Sequence, residues 1–118
     1  MKAFILSLIL FFTLIILIIS NAIYVHYFCE ELSSMLSALD EKDPLAAEEI
    51  CEVWHSHRPI LSLSVHEALL ERMDDLTENL KSAVTVGDGA EFNKNRALIY
   101  ELISELIRNE EISLQGII

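Results

Sequence analysis

A chain of 118 residues allows one small domain and little more. Apolar residues make up 53% of it, above the roughly 45–50% of soluble domains, and the formal net charge is −11. That balance excludes nucleic acid as a partner, because phosphate binding needs clustered Lys and Arg. The two features are segregated along the chain. All 19 acidic residues lie after Cys29, together with 7 of the 8 basic ones, so the remainder carries −12. An acidic surface of this kind repels anionic headgroups and keeps a small protein soluble.

Phe4 to Ile19 reads FILSLILFFTLIILII, with only Ser7 and Thr13 interrupting the apolar run. With Ala22, Ile23 and Val25 after it, the stretch reaches roughly 20 residues, enough to span a bilayer core. No charged side chain stands between Lys2 and Glu30. In lipid such a segment must be helical, since only a helix satisfies its own backbone groups. Tyr24, Tyr27 and Phe28 supply aromatic rings at headgroup level, and Lys2 against Glu30 and Glu31 orients the N-terminus to the cytoplasm. The competing reading is a cleaved signal peptide, with Ser20-Asn21-Ala22 as the processing site. The length of the apolar run, and its continuation past Ala22, favour an uncleaved anchor; either reading exports the acidic remainder of the chain.

From Glu30 the pattern turns amphipathic. Leu32, Met35, Leu36 and Leu39 fall at helical spacing, so the membrane helix is expected to continue through them. Asp43-Pro44 reads as an N-cap followed by the first helical position. The short helix beginning there turns Ala46, Ala47, Ile50, Val53, Trp54 and His57 inward, and Arg58-Pro59 is expected to end it. Ser62 or Ser64 is placed to cap the next helix, with Ser64 and Glu67 matching a capping box. Leu61, Val65, Leu69, Met73, Leu76, Leu80 and Val84 form its core stripe. Gly87-Asp88-Gly89 marks a turn. A last helix is expected over 90–108, with Phe92, Ile99, Leu102, Ile103, Leu106 and Ile107 inward and an apolar tail, Ile112 to Ile118, beyond it. Nothing has the alternation of a strand.

The expected fold is all-α: one N-terminal transmembrane helix continuing into a small antiparallel helical bundle. Residues 1–28 are assigned to a signal-anchor span and 29–118 to an acidic extracytoplasmic helical domain. About 90 residues make a marginal core, which is one reason to expect help from the bilayer, a disulfide or a partner protein.

Several constellations invite chemistry. Cys29 and Cys51 are the only cysteines, and an exported pair is a candidate disulfide. A helix running from Cys29 to about Asp40 and another returning from Pro44 would bring the two to similar height at about 1.5 Å per residue. The alternative is two unlinked thiols, Cys51 buried and Cys29 near the membrane surface. Cys51, His55, His57, Glu52 and His66 are metal-ligand types, but their spacing matches no zinc pattern, so no metal or other cofactor is assigned. His66-Glu67 could serve acid–base work only in a pocket the sequence does not show; packing against the Trp54 region is the plainer role for His66. The serines lack a nucleophile-elbow context, and Gly87 and Gly89 lack the lysine and hydroxyl of a phosphate loop. No enzyme is indicated. Trp54, the one tryptophan, is read as a large core contributor, with an interface anchor as the alternative.

Taken together, Trp54 in the short helix, His66-Glu67 opening the long one, Gly87-Asp88 before the last, and the closing run Glu110-Glu111-Ile112-Ser113-Leu114-Gln115-Gly116-Ile117-Ile118 carry a resemblance. The chain resembles domain-of-unknown-function family 4363, short membrane-anchored helical proteins of Gram-positive, mostly spore-forming bacteria. Gly116, where members often have asparagine, and the cysteine pair depart from that pattern. The resemblance implies a single-pass topology and companionship with other small membrane proteins, and it implies no activity or functional residue. The functional expectation is a membrane protein whose external helices bind another membrane or envelope protein. The alternatives are small-ligand or divalent-cation binding, or a secreted helical protein.

Overall fold

A run of apolar side chains with no helix breaker makes α1, Lys2–Ala38, one continuous helix of 37 residues. The computed structural model describes the backbone through Gln115 and the side chains through Asn109. Along its first half α1 is uniformly apolar, with a mean hydropathy of 3.0 over 18 residues, none of them buried. From Ala22 onward only one face stays apolar. Ala22, Val25, Phe28, Cys29, Leu32 and Leu36 step by three and four and are all buried. The expected continuation of the apolar helix into the bundle is therefore what the chain does, and the core begins at Ala22, within the same helix.

Leu39 turns extended and ends α1. Asp43 then accepts from the Ala46 amide and Pro44 takes the first turn, opening α2, Pro44–Leu61, as the sequence indicates. Ala47, Ile50, Cys51 and Trp54 are its buried face.

The expected break at Arg58-Pro59 does not occur: α2 runs through Pro59 to Leu61. Proline removes one donor and disfavours helix before it. Here the turn is held from both sides, by the ion pairs of Arg58 and by the fully buried Leu61. Nor does a serine cap the next helix. The Ser62 hydroxyl donates to the Pro59 carbonyl, and His66 is the N-cap of α3, Glu67–Val86. The α3 core stripe is Leu70, Met73, Leu76, Thr77, Leu80, Ala83 and Val84, with Leu69 at its half-buried edge and Val65 before the helix.

Gly87 closes α3 at φ 83, a left-handed conformation that glycine adopts without strain, and the Gly87 and Asp88 amides both donate to the Ala83 carbonyl. Asp88 then caps α4, Gly89–Gln115, through the Glu91 amide. This helix is longer than expected: it passes Arg108 and takes in the start of the apolar tail. Its buried residues include Phe92, Ile99, Leu102, Ile103 and Leu106 as expected, and also Asn95, whose amide donates to the Glu91 carbonyl. Of the closing run that carries the resemblance, the side chains of 110–118 and the backbone of 116–118 lie outside the described residues.

Among the described residues, four helices form an antiparallel ring in chain order: α1 packs on α2, α2 on α3, α3 on α4 and α4 back on α1, with the diagonal pairs apart. The molecule measures 67 × 23 × 22 Å, because the free half of α1 projects along the bundle axis. The loop after α1 and the Gly87-Asp88 turn share the far end, where a Cβ on Gly89 would stand 2.9 Å from Glu41 Oε2. The connection between α2 and α3 lies at the near end, on the side of the projecting helix.

Such a core should feel a single truncation. Ile99→Ala, at a side chain with no exposure, should lower unfolding stability by about 2–5 kcal/mol, whereas Val86→Ala on the surface should stay within about 0.5 kcal/mol. Chemical denaturation of the detergent-solubilised chain measures both.

Candidate functional site

The densest polar chemistry is a cluster that ties α2 to α3. Trp54 has no exposed surface and lies on Phe28 of α1, ring centroids 6.0 Å apart. Its indole Nε1 donates to Asp74 Oδ1 at 2.6 Å. One turn further along α2, Arg58 Nε donates to both Asp74 oxygens, at 3.0 and 2.9 Å. Arg58 Nη2 donates to Glu67 Oε1 at 3.0 Å. A single carboxylate thus answers a buried indole and a guanidinium, and the fork of the guanidinium spans two turns of α3. Hydrogen bonding to Glu67 first, then to Asp74, holds the Arg58 proton more tightly than usual. Glu67, in the first turn of α3, also suits the helix dipole there.

The sequence-predicted residues divide. Trp54 is core, and Glu67 joins it indirectly through Arg58 and Asp74. His66 does not pack against the Trp54 region: it is exposed, and its Nδ1 accepts from the Ala68 amide at 3.2 Å. His57 takes that place instead. It shares a hydrogen bond through Nδ1 with the Tyr24 hydroxyl and sits 4.9 Å from the Phe28 ring. Arg58 and Asp74 were missed, yet their spacing is legible. Trp54 and Arg58 share a face at i, i+4, and Glu67 and Asp74 share one at i, i+7 beside the core residue Met73.

Cys29 and Cys51, the candidate disulfide pair, are both buried, on α1 and α2. The Cys51 thiol donates to the Thr77 carbonyl at 3.3 Å. Burial, reinforced by Glu78, pushes its pKa up. The remaining ligand-type side chains disperse: His55 reaches Glu78 at 3.7 Å, and His57 and His66 are engaged as described. Among the described residues no group of three or more His, Cys, Asp or Glu gathers around a common point. A shallow, open groove between α3 and α4 at the far end is bordered by Asn79, Ser82, Val86, Asp88 and Glu91. Its Asp88 carboxylate is engaged as the cap of α4.

Chemically, then, the Trp54 cluster is a fastening. Its Asp74 carboxylate is engaged by the indole of one residue and the guanidinium of another on the neighbouring helix. No family model matches the chain, and neither a curated protein nor a solved structure does.

Two substitutions separate the buried bond from the exposed one. Asp74→Ala should destabilise the fold by about 1–3 kcal/mol, because it strands a buried indole N–H, whereas Glu67→Ala should produce a much smaller loss from an exposed pair. Denaturant unfolding of the two variants reads the difference. For Cys51 the raised pKa sets a sign. Its contribution to stability is fully present below the ordinary thiol value of 9.0 and is lost as pH climbs through the higher folded value. Unfolding measured from pH 8 upward should show an alkaline decline that Cys51→Ala flattens.

Proposed function

We propose that this chain is a single-pass membrane protein, N-terminus cytoplasmic, whose external four-helix bundle is a non-enzymatic module that binds another membrane or envelope protein. One observation carries the reading: a single unbroken helix presents apolar side chains on every face over its first half and then supplies the bundle's core over its second. The exposed half has the length and composition that lipid accepts. The flanking charges, Lys2 against Glu30 and Glu31, support the orientation. The resemblance to domain-of-unknown-function family 4363 supports the topology and the companion protein, and membership in that family is part of the proposal.

The test is a crosslinking pull-down from native membranes with a tag on the C-terminus, combined with the mass of the recovered bait. A bait of 13.4 kDa plus the tag in the membrane fraction, with one stoichiometric membrane protein, is the expected result. A bait shortened by the residues up to Ala22 and released from the membrane would replace the anchor with a secreted bundle. A full-length bait with background alone would remove the partner.

A further inference from the structure

The two ends of the bundle differ in chemistry. At the far end the loops carry Asp40, Glu41, Lys42, Asp43 and Asp88. At the near end the chain from Pro59 to Val65 reads PILSLSV, seven residues without a charge in a domain of net −12. Its apolar side chains are not all used by the core. Leu61 is buried, but Ile60 is half exposed and Leu63 is 84% exposed at the tip. At the root of this connection the charge of Arg58 is met by Asp74 and Glu67.

Its height along α1 is set by the ring contacts. Tyr24 and Phe28 stand beside His57, with centroids 5.7 and 4.9 Å away. α2 climbs from there toward the projecting half of α1 at about 1.5 Å per residue, which sets Leu61 and Leu63 level with roughly Ser20 to Tyr24. That is where α1 changes from exposed apolar surface to buried core stripe.

We propose that the connection between α2 and α3 is a second membrane contact, in which Leu63 and Ile60 enter the headgroup and upper acyl region of the same bilayer that α1 crosses. The proposal rests on the reading of α1 as a membrane span. The occupant is lipid because the patch is uncharged, exposed and level with the point where the apolar half of α1 meets the bundle. An uncharged, serine-spaced apolar tip suits an interface in which side chains sit some 5–10 Å deep. Acidic faces elsewhere on the bundle are repelled by anionic headgroups.

The test uses the full chain in phosphatidylcholine vesicles with a nitrobenzoxadiazole label on one introduced cysteine at a time: Leu63→Cys, Leu14→Cys on α1 and Val86→Cys at the far end. The unsubstituted chain, whose Cys29 and Cys51 are buried, serves as the blank. Expected are a blue-shifted emission quenched by spin-labelled lipid at positions 14 and 63, and water-like, unquenched emission at 86. Adding Ile60→Glu should return the label at 63 to water-like emission. Lipid-like emission at 14 with water-like emission at 63 would overturn the second contact while leaving the span intact. Water-like emission at 14 would overturn the span and the contact with it. A label at 63 that stays in lipid despite Ile60→Glu is drawn there by the dye, which would also overturn the proposal.

Discussion

Everything in this molecule hangs on the backbone continuity of α1. A helix satisfies its own amide groups wherever it goes, so the same element can face lipid on all sides and then face protein on one. The change occurs without a break, by a change of side chains alone: uniform apolarity up to Ile19, then a stripe from Ala22 to Leu36. α2 and α4 answer that stripe. α4 returns along it, with the Tyr100 hydroxyl donating to the Ser33 carbonyl, while α2 places Trp54 and His57 against Phe28. In the proposed membrane reading the bundle's axis is therefore the axis of the span.

α2 and α3 are pinned to each other by polar geometry as well as by packing. The bond from Trp54 to Asp74 is internal, with the indole fully covered, whereas the pair from Arg58 to Glu67 is on the rim and screened. The same arginine explains why Pro59 is tolerated inside α2. With Arg58 anchored ahead of the proline and Leu61 buried after it, the turn has more to lose by unwinding than one missing hydrogen bond.

The helices themselves were legible because each has a period or a punctuation mark of its own: Asp43-Pro44 for the start of α2, Gly87 for the end of α3, and three-and-four spacing for the core of α3 and α4. Local rules failed where a tertiary contact outweighed them. Pro59 reads as a stop until Arg58 is seen to meet Asp74, 16 residues away. The capping box at Ser64 lost to His66, whose ring caps α3 two residues later. The face that packs inward also differs by one position, with Leu70 in the core and Leu69 at its edge. Of the candidate residues, Trp54 could be placed from size and scarcity. The link from Trp54 to Glu67 could not, because it passes through two charged residues on different helices, and charge on a helix face reads by default as solvation.

The absence of a hinge between the projecting half of α1 and the bundle has a consequence for encounter. A domain on a flexible tether samples many orientations and must give them up on binding, whereas a domain carried on a stiff rod presents one surface at one height. In the proposed membrane reading, a partner diffusing in the same bilayer searches two dimensions of translation and one angle of rotation about the rod. Recognition could then rest on a patch smaller than two freely tumbling proteins would need.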